Sequence, residues 1–425
     1  MPGDILASRR VGLVLGGGGL KGFAHIGALR ALEERNVVPQ LIAGSSIGSL
    51  IAAAVGSGMP SSVMAGKAVA LRRRDLFRIN HFGMAFERMR SPSIYLDGPL
   101  LDLVEDTCSD VTLAELSLPV LVNTVDVERG TQVVWGLPGL ADVSAREAVY
   151  ASCALPGFFP PGNVGERTCV DGGTMDNMPV RAAAAYGADV LIAMDVGNSD
   201  LAHAADVSTS GFASIFMRSA SIMMRHLQLH PLETWGTPPM LLVRPRVSHI
   251  PWFAFGHAEE LIESGYRAML EALDHLGECM EAEQGIFPRR EVQLSVDREA
   301  CIGCGLCAVL APDTMALGED RIAYPRKRDV LWSPADGDFV RQCPTNAIHA
   351  ESDEPVLQSE SEAQHADSPA RAKVPRRLRR RKAAKQQKAV EADDTLDITR
   401  EEDADDEVRV ERPRVRPRAT RGGER

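Results

Sequence analysis

The sequence contains no long apolar segment. The run Val11–Leu15 ends in glycines, and the apolar stretch around Leu50–Val55 is far shorter than the ~20 residues that cross a bilayer. We therefore expect neither a signal peptide nor a membrane-spanning helix, and we predict a cytoplasmic protein. A peripheral contact with the inner membrane face stays open.

Aromatic residues are also scarce, at 5% of the chain. The basic run at 371–388, with ten Lys or Arg and no acid, contains no aromatic residue on which bases could stack. This pattern disfavours nucleic-acid binding. Residues 391–407 carry ten acids against one Arg, so the region from 351 to 425 alternates blocks of charge with few apolar residues. We predict a disordered polyampholyte tail over 351–425, which either docks on an anionic membrane or neutralises itself.

Cysteine is limited to eight residues, and they fall into two groups. Half are scattered, as buried thiols usually are in a reducing compartment. These are Cys108, Cys153, Cys169 and Cys279. The other half are grouped near the C-terminal side of the chain and are treated below.

Short apolar runs alternate with helical patterns over the first two-thirds of the 425 residues. This alternation predicts an α/β fold with a mostly parallel sheet, whose active residues lie at the carboxyl ends of strands. The predicted strands are Val11–Leu15, Gln40–Ala43, Val120–Val125, Thr131–Trp135, Thr168–Val170, Val190–Asp195 and Met240–Val243. The predicted helices are Gly22–Arg35, Ile47–Ser57, Leu100–Thr107, Ala145–Ser152, Val180–Tyr186, Phe212–Leu227 and His257–Glu281.

Two segments fit this alternation poorly. Residues 72–97 mix arginines with Phe and Met, and residues 199–239 read as loop-like with a Met-rich run at 216–224. Each segment is interpreted either as a cap that touches lipid or as a surface insertion packed on the core.

Two glycine-rich turns follow the first two predicted strands. Residues 44–48 (GSSIG) form a G-x-S-x-G pattern, which places the Ser46 hydroxyl on a sharp strand-to-helix turn where it can attack a substrate. Residues 16–22 (GGGGLKG) can bring backbone N–H groups together without intruding Cβ atoms, as an oxyanion site requires. The candidate oxyanion donors are Gly17, Gly18 and Gly19.

A nucleophilic serine needs a base, and Asp171 is the candidate. It follows a short apolar run and precedes Gly172 and Gly173, so its carboxylate can extend from a strand end without steric cover. The rival arrangement is a Ser-His-Asp triad. No histidine lies in a telling local context, and His25, in the first helix, is interpreted as a packing or supporting residue. Lys21 either anchors the glycine loop or points to solvent.

The order of these motifs resembles the patatin-like phospholipase family. GGGGLKG, GSSIG and the later Asp171-Gly-Gly, preceded by ASCALPGFFPP at 151–161, are typical of that family, and the resemblance covers residues 9–280. It implies a three-layer α/β fold that hydrolyses acyl esters of lipids without a cofactor. By this resemblance Ser46 is the nucleophile, Asp171 the base, and Gly17–Gly19 the oxyanion site. The supporting motif positions are Lys21, Gly22, Gly44, Gly48, Gly172 and Gly173.

The grouped cysteines follow the pattern C-x₂-C-x₂-C, with a Cys-Pro pair 36 residues later. Three thiolates at this spacing can hold one face of an iron–sulfur cluster, and a remote fourth closes it. A zinc site is the rival, although zinc ribbons usually use two separated C-x₂-C pairs. The four residues are Cys301, Cys304, Cys307 and Cys343.

Residues 291–350 resemble single-cluster bacterial ferredoxins. The similarity lies in Val296-Asp297 before the triplet, residues 311–313 (APD) after it and residues 343–348 (CPTNAI) at the end. It implies a small α+β domain with one [4Fe–4S] cluster and a redox partner protein. We therefore predict a hydrolase domain at 1–285, a ferredoxin-like domain at 291–350 and the tail. The alternative function is an electron carrier or regulatory scaffold with an idle hydrolase fold.

Overall fold

The structure is a computed structural model that describes residues 2–6, 8–79, 93–197 and 212–352. The chain divides into two units, Met1–Ser361 and Glu362–Arg425. Every described residue belongs to the first unit. The predicted tail from 353 onward, residues 80–92 of one predicted cap and residues 198–211 of the other lie outside the described residues.

The predicted mostly parallel sheet is present. Among the described residues, nine strands form it in the order β5-β6-β3-β2-β1-β7-β8-β9, with β4 also paired to β3. The six strands from β3 to β9 in this order are parallel, whereas β4, β5 and β6 pair antiparallel. The strands are β1 (Val11–Leu15), β2 (Leu41–Ser45), β3 (Val120–Asp126), β4 (Thr131–Trp135), β5 (Gly162–Val164), β6 (Arg167–Asp171), β7 (Val190–Met194), β8 (Met240–Val243) and β9 (Ile286–Phe287).

Helices cover both faces of this sheet. Their described bounds are α1 (Pro2–Leu6), α2 (Phe23–Glu34), α3 (Ile47–Gly56), α4 (Ser61–Ala70), α5 (Gly98–Thr107), α6 (Ala145–Cys153), α7 (Val180–Ala185), α8 (Phe212–Glu233), α9 (Ala258–Asp274) and α10 (Leu276–Ala282). None of these described helices combines the length and apolarity needed to span a bilayer.

The central strands are buried on both faces, as parallel strands between helical layers must be. In β1, Leu13 and Leu15 enter the larger core with α2 and α3, whereas Val14 enters a second core on the opposite face. That second core contains Ala183 of α7 and Leu232 near the end of α8. The result is the predicted three-layer arrangement, with the carboxyl ends of β1 and β2 opening toward one edge.

Several predicted boundaries differ from the structure. Residues 212–233 form the helix α8, which confirms the predicted helix Phe212–Leu227 and extends it by six residues, so the loop-like interpretation of this part of 199–239 is wrong. One face of α8 is buried through Gln228, Leu229 and Leu232, which gives the helix a packing surface that its irregular sequence hides. The predicted helix His257–Glu281 is two helices, and α4 was not predicted.

The described ends of the 72–97 segment pack on the body of the protein. The Phe77 ring lies 4.7 Å from the Tyr95 ring and 5.9 Å from the Phe159 ring, centroid to centroid. Ring pairs at these distances stabilise their contact beyond simple burial. These ends therefore agree with the interpretation of a packed surface insertion.

A smaller structure follows the sheet. Its strands are β10 (Arg290–Val296), β11 (Met315–Leu317), β12 (Ala323–Pro325), β13 (Asp329–Trp332) and β14 (Ile348–Glu351), and its helices are α11 (Leu306–Leu310) and α12 (Asp338–Arg341). β10 pairs antiparallel with β13 and β14. Its own core includes Val292, Met315 and Phe339. Ala335, by contrast, packs into the second core of the large sheet.

Candidate functional site

Ser46 lies at the sharp turn between β2 and α3. Its backbone has φ 53° and ψ −129°, a region that non-glycine residues rarely adopt. A Cβ on Gly48 would overlap the Leu15 carbonyl oxygen, and one on Gly44 would lie 2.5 Å from the Gly48 backbone. Both glycines are therefore needed for α3 to leave the sheet at this angle, and the turn holds the serine in a strained position typical of functional sites.

Asp171 ends β6 and meets Ser46 across the sheet. The Ser46 hydroxyl lies close enough to its carboxylate to lower the Asp171 pKa, and its Oδ1 accepts the Gly173 N–H at 2.8 Å. Burial raises the pKa of Asp171 to about 6, although these two neighbours oppose the rise. A Cβ on Gly172 would overlap the Asn123 carbonyl, so the chain after Asp171 also requires glycine. The structure thus places the predicted nucleophile and base beside each other.

The first glycine-rich turn lies beside this pair. A Cβ on Gly17 would lie 3.1 Å from the Ser46 Cβ. The Gly17 N–H donates to the Asn177 carbonyl at 3.3 Å, whereas the Gly18 and Gly19 N–H groups meet no acceptor among the described residues. The latter two N–H groups, at the turn that leads into α2, are the available donors for a developing negative charge.

Three supporting residues hold the glycine loop and the turn at Ser46. His25 is buried with Nε2 2.8 Å from the Gly16 carbonyl oxygen, and burial lowers its pKa to about 4, so the ring is neutral and Nε2–H donates. Asn177 donates from Nδ2 to the Gly17 carbonyl at 2.9 Å. Ser152 Oγ accepts the Ser46 N–H at 3.0 Å and donates to the Asn123 carbonyl at 2.7 Å.

These contacts confirm the supporting interpretation of His25 and show what sequence reasoning missed. Asn177 and Ser152 were not singled out. The available signals were their positions, because Asn177 follows Asp171 by six residues and Ser152 lies within the ASCALPGFFPP segment. No described histidine contacts Asp171.

Lys21 is fully buried, so the prediction that it points to solvent is wrong. Burial lowers its pKa to about 8. It lies in the single 3₁₀ turn Gly19–Gly22 that joins the glycine loop to α2. A Cβ on Gly22 would collide with the Ile47 side chain, so this turn packs directly on the start of α3.

An apolar cavity opens at Ser46. It holds about 820 Å³ of empty space, part of it open to solvent, between α2, α3, α4 and α5. Its walls are mostly aliphatic and aromatic side chains, including Leu50, Met64, Leu103 and Phe159. Such a cavity fits an extended hydrocarbon chain.

The four grouped cysteines line a second cavity, between the 301–307 loop and the segment from Cys343 to Ile348. Gly303 has φ 68°, and a Cβ there would overlap the Arg321 carbonyl, so the loop between the first two cysteines requires glycine. Among the described residues, no three His, Cys, Asp or Glu side chains converge on one metal ion. In an iron–sulfur cluster each thiolate bonds a different iron, so a cavity walled by four cysteines fits that group.

The Cys343 sulfur is surrounded by donors. The Ala347 N–H donates to it at 3.3 Å, and the Thr345 hydroxyl lies 3.7 Å away. Burial raises the pKa of Cys343, but hydrogen bonds from the Thr345, Ala347 and Ile348 N–H groups outweigh it, and the pKa is lowered overall. A thiolate, which is the form that binds metals, is thereby favoured at this position.

Known proteins resemble the two parts of the chain separately. A family model described as patatin-like phospholipase matches residues 13–184, and one described as a 4Fe-4S single cluster domain matches residues 294–350. An uncharacterized NTE family protein of Mycobacterium tuberculosis is 32% identical over 225 residues, which cover 51% of this chain and 58% of that protein. The chain therefore spans little more than half the length of this relative.

More distant matches were also found. Lysophospholipase nte1 of Aspergillus fumigatus is 28% identical over 298 residues, which cover 64% of this chain and 18% of that protein. The crystal structure of VipD from Legionella pneumophila aligns with a TM-score of 0.39 at 14% identity, covering 65% of this chain and 67% of that one. The family models carry the comparison: residues 13–184 match patatin-like phospholipases, and residues 294–350 match 4Fe-4S single cluster domains.

Proposed function

We propose that the protein hydrolyses acyl esters of lipids, with Ser46 as nucleophile and Asp171 as base. One observation carries this proposal: a strained serine at a strand-to-helix turn lies beside a buried carboxylate at the mouth of an apolar cavity. We assign the hydrolase to residues 1–285 and the ferredoxin-like domain to residues 291–350. A cytoplasmic location, with or without peripheral membrane contact, remains a prediction.

The reaction follows from the contacts at Ser46. Its Oγ attacks the ester carbonyl carbon while Asp171 takes the hydroxyl proton, so a C–O bond forms and the carbonyl oxygen becomes negative. The Gly18 and Gly19 N–H groups stabilise that oxygen. Loss of one such donor typically costs about 100- to 1000-fold in rate. When this intermediate collapses, the bond from the carbonyl carbon to the leaving oxygen breaks, and Asp171 returns the proton to the leaving alkoxide. In the second half, water attacks the acyl-serine carbonyl and Asp171 takes the proton of water; the bond to Ser46 Oγ then breaks and Asp171 returns the proton to Oγ.

The cavity indicates the class of substrate. Its mostly apolar walls favour a hydrocarbon chain, at about 0.8 kcal/mol for each buried methylene. The polar end of the lipid would stay at the mouth, beside Ser46. Phospholipid, lysophospholipid and neutral ester all satisfy this arrangement.

We also propose that Cys301, Cys304, Cys307 and Cys343 hold one [4Fe–4S] cluster. When bound, such a cluster takes up or releases an electron. The cavity that these cysteines share and the donors around Cys343 support the assignment. A redox partner protein is a further proposal.

Substitution of the dyad tests the hydrolase. We expect Ser46→Ala and Asp171→Asn each to reduce ester hydrolysis at least 1000-fold, because each removes a group that acts on the reacting atoms. Labelling by a fluorophosphonate probe should be lost in Ser46→Ala, while Ser57→Ala, at the far end of α3, should behave as wild type. Activity within a few-fold of wild type in either dyad variant would refute the assignment. A wild-type protein that never labels would favour the scaffold function.

A further inference from the structure

Helix α8 borders both halves of the catalytic centre. Gln228 is buried, and its Oε1 accepts from Asn177 Nδ2 at 3.3 Å. The same side-chain amide of Asn177 donates to the Gly17 carbonyl at 2.9 Å, and the main-chain carbonyl of Asn177 accepts the Gly17 N–H. Asn177 thus hydrogen-bonds both the N–H and the carbonyl of Gly17, and Gln228 orients the Asn177 side chain.

The other half of the centre also touches this helix. A Cβ on Gly173 would lie 2.9 Å from the Met224 Cε, so Met224 packs against the glycine whose N–H bonds Asp171. A displacement of α8 would therefore loosen the contacts around the oxyanion loop and the base together.

The cluster-binding domain anchors the same helix. Arg225, three residues before Gln228, pairs with Asp338 of α12 at 3.5 Å, and the two side chains are only 11% and 16% exposed. Ion pairs this well shielded depend strongly on both partners, because loss of one strands a charge away from water.

A second contact reaches the glycine loop from the same domain. Arg244 donates to the Pro334 carbonyl and pairs with Asp195 at 3.1 Å. Asp195 in turn accepts the Gly197 N–H at 3.1 Å, and a Cβ on Gly197 would lie 3.2 Å from the Gly17 carbonyl oxygen. Between these contacts, Ala335 fills part of the second core of the large sheet.

We propose that residues 334–338 of the cluster-binding domain hold α8 and the glycine loop in the hydrolytic arrangement, so that docking of this domain controls turnover at Ser46. Gln228 and Asn177 are the positioning residues of this control. This inference rests on the proposed hydrolase function and names its regulation.

Cluster binding bears directly on this anchor. Asp338 and Cys343 lie five residues apart, on α12 and the turn that follows it. Because metal ligation and local folding are coupled in small metal-binding domains, loss of the cluster would release α12 and with it the Arg225–Asp338 pair. Hydrolysis would then report on whether the cluster is present.

The test uses the full chain purified anaerobically, with Asp338→Asn and Arg225→Gln as the two variants. The matched control is Asp320→Asn, which breaks the 2.6 Å ion pair between Arg298 and Asp320 inside the same domain. We expect kcat to fall at least tenfold in both variants with KM changed less than twofold, and Asp320→Asn to match wild type. Amide hydrogen exchange over residues 16–22 should quicken in the two variants only.

A double variant separates positioning from general destabilisation. Gln228→Met removes the acceptor for Asn177 while keeping the side-chain volume. In the double variant Gln228→Met/Asp338→Asn we expect kcat to be no lower than in Gln228→Met alone, because both substitutions act through one path. If the kcat losses of the two single variants multiply in the double variant, they do not share this path. The proposal is also overturned if Asp338→Asn and Asp320→Asn have the same kcat and the same amide hydrogen exchange over residues 16–22. If wild type hydrolyses no ester, the proposed function fails, while the exchange data still decide whether the anchor holds the glycine loop.

Discussion

At the scale of single residues, neighbouring carboxylates in this centre differ in what surrounds them. Burial raises the pKa of both Asp171 and Asp176 to about 6. The Ser46 hydroxyl lies close enough to Asp171 to lower its pKa, whereas Asp176 accepts hydrogen bonds from Gln132 and the Met178 N–H. Of these two carboxylates, Asp171 is therefore the one proposed to exchange a proton with the serine, while Asp176 bonds parts of the surrounding framework.

The raised pKa of Asp171 predicts the pH dependence of hydrolysis. The base must be ionised to accept the serine proton, and with a pKa of about 6 it is about nine-tenths ionised at pH 7. We expect kcat/KM to be level above pH 7 and to fall about tenfold per pH unit below 6, because protonated carboxyl cannot act as base. Initial rates with a soluble ester, with circular dichroism to confirm folding, measure this. A level profile down to pH 4.5 in folded protein would contradict it.

At the scale of elements, the helices on one face of the sheet form the acyl cavity. Helices α3 and α4 both contribute residues to the cavity that opens at Ser46, and Ala68 of α4 lines it while its neighbour Val69 is 40% exposed. The same helix thus presents one small residue to the cavity and one larger residue to solvent. This arrangement lets cavity size be changed without touching the dyad.

Filling the cavity should shorten the acyl chain that the protein accepts. Ala68→Phe occupies space equal to several methylenes, each contributing about 0.8 kcal/mol when buried. We expect the rate ratio of palmitoyl to butyryl p-nitrophenyl ester to fall at least tenfold. Val69→Phe is the matched control and should leave the ratio unchanged. A ratio that moves equally in both variants would show that the chain binds elsewhere.

At the scale of the whole molecule, the two matched domains share structure. Ala335 completes the second core of the sheet, and Arg225 and Arg244 reach from the hydrolase side to Asp338 and Pro334. A cluster domain joined only by a flexible linker would need none of these contacts. The fusion therefore has a physical basis in the described unit.

The proposed [4Fe–4S] cluster predicts the iron and sulfide content of the whole protein. Anaerobically purified protein should be brown and contain about four iron and four sulfide per chain, as one cubane held by four thiolates requires. Cys343→Ala should lose most of both, because it removes one corner ligand. Cys169→Ala, which removes a buried thiol of the large sheet, should retain them. Stoichiometric zinc without sulfide would overturn the cluster assignment.

The sequence by itself determined the features that depend on short-range geometry. The turns around Ser46 and after Asp171 need glycine wherever backbones approach closely. The C-x₂-C-x₂-C loop needs glycine between its cysteines. Short stretches of sequence therefore indicate these sites. The parallel strands are equally visible, because strands buried on both faces read as continuous apolar runs. The predicted parallel strands Val11–Leu15 and Met240–Val243 match the structure residue for residue, as does the antiparallel strand Thr131–Trp135.

Only the tertiary structure decided the features that depend on distant partners. Four features join residues that no local pattern relates. They are the burial of Lys21, the hydrogen bonds of Asn177 to Gly17, the packed face of α8 and the pairing of Arg225 with Asp338. In each case the contact exists because packing brings together segments far apart in the chain, and such contacts have no periodicity or spacing to reveal them. The sequence thus supplied the candidate reacting groups, and packing decided what holds them in place.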